Sequence, residues 1–132
     1  VATLSAAKAD GQLLVFEGNP LSVAAADRAK LDFVVLDTET AESMTDVRLQ
    51  VLNATTYAGI AAERLLLAAE IDSPLQDADR TEYAAVEAIA RCVVEYGPLA
   101  GFAAYNIAGD YYHADGNYRT IRAAIQTLNP SK

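Results

Sequence analysis

The sequence predicts an all-α fold, a compact bundle of about five helices with room for one short N-terminal strand. Its 132 residues include 27 alanines, 7 glycines and 4 prolines. Alanine is the best helix former, whereas glycine and proline interrupt helices. In the second half of the chain, apolar residues recur at spacings of three and four, the period of an amphipathic helix. The length indicates a single helical domain over residues 1–132.

Composition and charge exclude several classes of protein. The chain is 52% hydrophobic with a net charge of −8, which argues against a disordered chain and against nucleic-acid binding through a basic patch. It contains no apolar run of about 20 residues that could cross a membrane. One cysteine and one histidine exclude an intramolecular disulfide and a multi-histidine metal site. We therefore expect a cytoplasmic protein that needs no metal and no cofactor.

The N-terminal third contains one helix and two ambiguous apolar runs. Residues 12–17 fit either a strand or a buried helical turn. Asn19 and Pro20 have the sequence of a helix N-cap followed by proline at the first helical position, and the alanine-rich residues 21–29 favour a helix. Residues 31–40 fit a buried strand or the middle of one long helix, and this choice decides the fold class.

Residues 45–71 predict the central helix, with Thr45 as its N-cap. Small and apolar residues recur along it at spacings of four and three, namely Val47, Val51, Ala54, Ala58, Ala61, Leu65 and Ala68. Such a face allows close approach of a second helix. That helix can belong to the same chain or to a second copy across a twofold axis, so a homodimer is expected as one alternative.

The C-terminal half predicts three further helices. Asp79 and Glu82 have the spacing of a capping box before a helix that Gly97-Pro98 ends. Cys92 lies on this helix and fits a small buried hydrophobic residue. The next helix is predicted from Leu99 to Ala114, and the last from Tyr118 to Leu128.

The C-terminal stretch resembles one tetratricopeptide unit. Aromatic and small residues fall near the spacing of that family at Tyr105, Ala108, Gly109, Tyr112, Gly116 and Tyr118. The resemblance implies an antiparallel pair of helices. No second copy follows at a period of about 34 residues, so a generic helical hairpin is the alternative.

The segment around Asp37 and Glu39 resembles the first motif of DEDD-type exonucleases, and Asn106 with Asp110 matches the second. The resemblance implies two Mg²⁺ or Mn²⁺ ions held by these carboxylates, phosphodiester hydrolysis, and antiparallel strands between the two motifs. The third motif has no counterpart, because the chain has only His113. This resemblance therefore implies an incomplete or inactive relative.

Taken together, these features predict a non-catalytic protein-binding module: an adaptor, regulator or inhibitor with an acidic, tyrosine-containing helical surface. We expect no catalytic residues, no direct contact with nucleic acid or membrane, and a basic protein partner attracted by the negative surface. An immunity-type or nucleic-acid-mimicking inhibitor is a more specific alternative. The partner-binding residues predicted from the sequence are Tyr111, Tyr118, Arg122, Asp37, Glu39 and Glu42.

Overall fold

The computed structural model describes residues 2–38, 41, 43–70, 90–105, 107, 111 and 119–129. In this part of the chain the fold is α/β, so the predicted all-α bundle is wrong. The strands are β1 (Val15–Glu17), β2 (Phe33–Leu36), β3 (Leu65–Glu70) and β4 (Gly101–Tyr105). The helices are α1 (Ala2–Ala7), α2 (Ala25–Arg28), α3 (Met44–Leu52), α4 (90–96) and α5 (Arg119–Leu128).

The four strands form one all-parallel sheet in the order β1-β2-β3-β4. Because parallel crossovers are almost always right-handed, a strand order that never reverses places successive helices on the same face of the sheet. The buried residues agree, because α3, α4 and α5 each contribute to one cluster with alternate residues of β2 and β3. Its members from these elements are Val34, Leu36, Val47, Val51, Leu65, Leu67, Cys92 and Ala124. Successive units of a β/α barrel have this arrangement.

Residues 31–40, which fit a strand or a helix by sequence, contain the strand β2. Val34, Val35 and Leu36 are all buried, although neighbouring residues of a strand point to opposite faces. Burial on both faces is typical of a parallel strand, which is why this segment is a continuous apolar run. Residues 12–17, which fit either a strand or a buried helical turn by sequence, contain the strand β1.

The predicted helix over residues 45–71 is wrong beyond its first half. Its N-cap is Ser43 rather than Thr45, and α3 ends at Leu52 before a π-helical turn at Asn53–Tyr57. Gly59 then adopts a φ of 71°, which is favourable for glycine and breaks the helical path. Leu65–Glu70 forms β3 between β2 and β4, because tertiary pairing outweighs the helix propensity of leucine and alanine.

The small-residue face is buried within its own chain. Ala54 and Ala58 belong to the hydrophobic core, whereas Ala61 is exposed. Their packing therefore accounts for this face without a second copy, and the stripe does not extend to Ala61 as predicted.

The C-terminal half departs from the prediction at its third element. α4 ends at Tyr96, followed by Gly97 with a φ of 91°, as the glycine-proline pair predicts. The predicted helix from Leu99 to Ala114 is wrong over Gly101–Tyr105, which is β4. Tyr105 therefore ends a strand, so the tetratricopeptide-like spacing does not begin on a helix. The last helix is confirmed as α5, and the predicted capping box at Asp79 and Glu82 lies outside the described residues.

Candidate ligand site at the carboxyl edge of the sheet

Polar residues follow β1 and β2 where each strand ends. Gly18 and Asn19 come directly after β1, and Asp37 and Thr38 come directly after β2. The carboxyl ends of parallel strands lie at one edge of a sheet, and β/α barrels bind ligands at that edge. A functional site is therefore expected at this edge.

The ends of β1 and β2 are fixed closely against each other. The backbone N–H of Gly18 donates to the carbonyl oxygen of Val35 at 2.9 Å. Gly18 has a φ of 115°, and a Cβ at this position would lie 3.6 Å from Asp37 Oδ2. The Asp37 carboxylate thus lies over the backbone of Gly18, at a conformation that favours glycine.

Thr38 joins the end of β2 to β3. Its hydroxyl donates to the carbonyl oxygen of Ala68, with the two oxygens 2.5 Å apart, and its side chain is buried. A buried hydrogen bond of this kind restricts the segment that carries Asp37. The edge is consequently built on ordered strands rather than on a free loop.

A cavity of about 280 Å³ opens beside Asp37. It lies between the turn after β1, the end of β2 and the helical segment from α3 to the π-helical turn. Its described lining consists of Asn19, Pro20, Leu36, Asp37, Gln50 and Asn53. Pro20 and Leu36 are buried and form an apolar wall, while the other four side chains are polar.

The three carboxamides of the lining differ in how fully they are hydrogen bonded. Asn19 Oδ1 accepts from the Leu21 N–H at 3.0 Å, as its predicted capping role requires. Gln50 Nε2 donates to the backbone oxygen of Asp37 at 3.3 Å. Asn53 is half-buried, and within the described part of the chain its carboxamide makes no hydrogen bond. Hydrogen-bonding capacity is therefore left at Asn19 Nδ2, Gln50 Oε1 and both polar atoms of Asn53.

The structure gives different surroundings to Asp32 and Asp37, which are five residues apart in sequence. The carboxylate of Asp32 accepts from the Leu14 N–H at 2.6 Å and from Lys8 Nζ at 2.7 Å, and these bonds hold its pKa below the usual value. Asp32 precedes β2 and Asp37 follows it, so they lie at opposite ends of the strand, roughly 16 Å apart along the chain. Asp32 therefore bonds to residues that precede β1, whereas Asp37 lines the cavity.

Of the other predicted partner-binding residues, the two that the structure describes do not line the cavity. Tyr111 and Arg122 are exposed and belong to the chain after β4. Tyr118, Glu39 and Glu42 lie outside the residues whose structure is described. Of the six predicted residues, the structure therefore places Asp37 alone at the cavity.

The described residues offer no metal centre and no reactive thiol. No group of three or more His, Cys, Asp or Glu among them could hold a metal ion. Burial, together with the nearby Glu95 carboxylate, raises the pKa of the Cys92 thiol to about 11, so the thiol stays protonated near neutral pH. β3 runs parallel to β2, unlike the antiparallel strands that the exonuclease resemblance implies after Asp37.

Sequence reasoning missed the two helical members of the site. Gln50 and Asn53 are three residues apart, a spacing that places both on one side of a helix. They could have been found only with the knowledge that this side faces the end of β2. Asn19 was identified, but only as a cap.

Comparison with known proteins does not assign the chain to a family. The chain matches no known protein family, and no curated protein is significantly similar to it. None of the described helices is both long enough and apolar enough to cross a membrane. The function must therefore be argued from the site itself.

Proposed function

We propose that this protein binds a small polar molecule in the cavity at the carboxyl ends of β1 and β2. The observation that carries the proposal is the unmet hydrogen-bonding capacity of the carboxamides beside Asp37. Gln50 and Asn53 are half-buried at the cavity and Asn19 is exposed, so these groups can bond to a ligand in place of water.

The position of the cavity supports the same proposal. It occupies the edge of a parallel sheet at which ligands are bound in many unrelated α/β proteins. Its apolar wall and few convergent polar groups are also typical of small-molecule sites. Leu36 stands on β2 and Gln50 on α3, so part of the lining is held by regular elements.

The proposed function is binding without a chemical step. Asp37 is the one ionisable residue among the described lining residues, whereas acid–base catalysis commonly uses two groups with different protonation states. The non-catalytic function expected from the sequence is kept as part of this proposal. We also keep the expected cytoplasmic location as part of the proposal, since the single Cys92 cannot form a disulfide within the chain.

Protein-observed NMR tests the proposal with a library of small polar metabolites. Binding is expected to shift the amide signals of Asn19, Asp37 and Asn53 together. Asn53→Leu removes both polar atoms at similar volume and should weaken binding about tenfold. Gln126→Leu is the control, because Gln126 is exposed on α5. If no library member shifts these signals, or if Asn53→Leu binds as the wild type does, the proposal fails.

A second candidate function is the binding of a protein partner by the chain after β4. Tyr111 is 40% exposed, and Ile107 and Ile125 are more exposed still; Arg122 is exposed near them in sequence. Exposed aromatic and arginine residues are common at interface hot spots. Tyr111 and Arg122 also belong to the partner-binding residues that the sequence predicts.

The second candidate is tested by capturing partners from cells and measuring affinity for variants. Tyr111→Ala and Arg122→Ala should each weaken binding by about 2 kcal/mol at a true hot spot, without a large fall in melting temperature. The control is Leu49→Ala, an exposed apolar residue on α3. Unchanged affinity in both test variants would exclude this surface.

A further inference from the structure

We infer that Arg28 is a positioning residue for the cavity and sets ligand affinity through the turn that follows β1. Its guanidinium holds residues 19–23, and this turn carries Asn19 and Pro20 of the cavity lining. Arg28 itself does not belong to the described lining. The inference rests on the proposed function and adds to it a residue that controls the site from outside.

The guanidinium of Arg28 bonds to three backbone carbonyl oxygens of one turn. Nε donates to the oxygens of Pro20 and Val23, at 3.2 and 2.9 Å. Nη2 donates to the oxygen of Leu21 at 3.3 Å. A guanidinium presents its donors in a rigid, planar fork, so the carbonyls bonded to it are held in one arrangement. Because Arg28 is the last residue of α2, these bonds also hold the turn against that helix.

The other described hydrogen bonds of the turn stay within it. The N–H groups of Ser22 and Val23 donate to the oxygens of Asn19 and Pro20, at 3.0 and 3.1 Å. These bonds fix the shape of the turn but not its position. Among the hydrogen bonds of the described residues, only those from Arg28 join residues 19–23 to another element.

The position of the turn matters because the rest of the described lining stands elsewhere. Leu36 lies on β2, Gln50 on α3, and Asn53 directly after α3. A ligand between these elements and a loose turn would have to order the turn, which costs free energy of binding. A turn that is already held needs no such ordering. Arg28 therefore preorganises one wall of the cavity.

A role in stability alone predicts a different result, and Arg48 provides the comparison. Its guanidinium also makes hydrogen bonds, to the two carboxylate oxygens of Glu95 at 2.9 and 3.0 Å, but these bonds do not involve the turn. Arg28→Met and Arg48→Met remove the same charge and the same donors. If Arg28 contributed only stability, both folded variants would bind as the wild type does.

The first measurement is made without ligand. Amide hydrogen exchange by NMR follows Ser22 and Val23, whose N–H groups bond within the turn. In Arg28→Met these amides should exchange about tenfold faster than in the wild type, relative to the amides of β2, because the turn opens more often. Arg48→Met should leave their exchange unchanged. Unchanged exchange in Arg28→Met would overturn the inference.

The second measurement titrates binding at a temperature at which every variant is folded. The probe is the compound of the small polar metabolite library that shifts the amide signals of Asn19 and Asn53 at the lowest concentration. Arg28→Met should raise its dissociation constant about tenfold, and Arg48→Met should not change it. Arg28→Lys keeps the charge but loses the planar fork, so it should also weaken binding, and it replaces Arg28→Met if that variant does not fold.

The outcomes separate this inference from the proposed function. If the probe binds Arg28→Met as tightly as it binds the wild type, Arg28 is not a positioning residue, although the proposed function stands. If Arg48→Met weakens binding as much as Arg28→Met does, the effect is one of general stability, and the inference is likewise wrong. If no library compound binds the wild type at the cavity, both fail.

Discussion

Gln50 Nε2 on α3 donates a hydrogen bond to the backbone carbonyl oxygen of Asp37, 3.3 Å away, and so attaches the helix to the end of β2. These two residues are 13 positions apart in sequence. One side chain thereby closes the cavity wall and fixes the backbone that carries its only described carboxylate. A hydrogen bond that holds α3 to the sheet is therefore also part of the proposed site.

Replacement of Gln50 by leucine should affect both stability and binding. The variant loses the bond to Asp37, which is expected to lower the free energy of unfolding by about 1 kcal/mol. It also loses Oε1 from the cavity lining, so ligand affinity should fall several-fold. Urea denaturation and ligand titration measure the two effects, with Gln126→Leu as the control. A variant as stable as wild type would show that this bond contributes nothing.

Ala58 and Ala61 provide a paired test of the fold. Ala58 is 8% exposed and lies in the core, whereas Ala61 is exposed before the 3₁₀ turn Ala62–Arg64. Ala58→Glu should reduce the free energy of unfolding by several kcal/mol because it buries an unpaired charge. Ala61→Glu should change it by less than about 0.5 kcal/mol. Equal destabilisation of both variants in urea would instead support the continuous helix predicted from sequence.

The sequence was informative where local chemistry is decisive. Asn19-Pro20 and Gly97-Pro98 act through side-chain hydrogen bonding and backbone restriction. Gly97 follows the end of α4 as predicted, whereas Asn19 caps the 3₁₀ turn Pro20–Ser22 instead of the helix predicted over residues 21–29. α5 also follows from its apolar spacing. These features depend on residues close together in the chain.

The sheet was not predictable in the same way, because β3 consists of residues with good helix propensity and β4 contains two alanines. Ala68, Ala69, Ala103 and Ala104 pair across the two strands, and a buried parallel strand lacks the alternation that marks an amphipathic one. Spacings of three and four therefore continued across Gly59 by chance. The cavity was not predicted for the same reason. The contact between Gln50 and Asp37 follows only from the position of β2 in the sheet, and the sequence left β2 ambiguous.

The buried thiol of Cys92 should make stability fall at alkaline pH. Burial raises its pKa in the folded chain to about 11, against 9.0 as its ordinary value. Between these values the unfolded chain releases the proton while the folded chain keeps it, so the unfolded state binds fewer protons and stability decreases as pH rises. Denaturation at several pH values compares wild type with Cys92→Ala. The variant should show a shallower decline between pH 9 and 11; identical slopes would contradict the assignment.

Arg48 and Glu95 should show the opposite dependence on pH. Arg48 Nε and Nη2 donate to the two carboxylate oxygens of Glu95 at 2.9 and 3.0 Å, and these bonds lower the pKa of Glu95. The pair stabilises the fold above the ordinary glutamate pKa, and this contribution is lost as pH falls through the lowered value. In Arg48→Met, NMR titration of the Glu95 carboxyl should give a higher pKa. The shift should shrink in high salt, because both side chains are exposed; an unchanged pKa would mean that the pair does not form in solution.

If the chain forms the homodimer that the sequence allows, we expect the outer edge of β1 to be the interface. β1 lies at the end of the described sheet. Leu14 and Gly18 bond to β2 and its flanking residues, so the backbone groups of Val15 and Glu17 point outward by alternation. Leu13 and Val15 are 64% and 51% exposed, and an apolar edge strand is a template for pairing.

Two such edges can pair across a twofold axis as antiparallel strands. Sedimentation velocity at micromolar concentrations should therefore detect a dimer of the wild-type chain and a monomer of Val15→Lys. Leu49→Lys is the matched control, because it makes the same charge change at a residue of α3 that is also 51% exposed. Both substitutions reduce the net negative charge, so general repulsion cannot explain a loss of dimer in one alone. A wild-type chain that stays monomeric, or a Leu49→Lys variant that dissociates equally, would rule out the β1 edge as the interface.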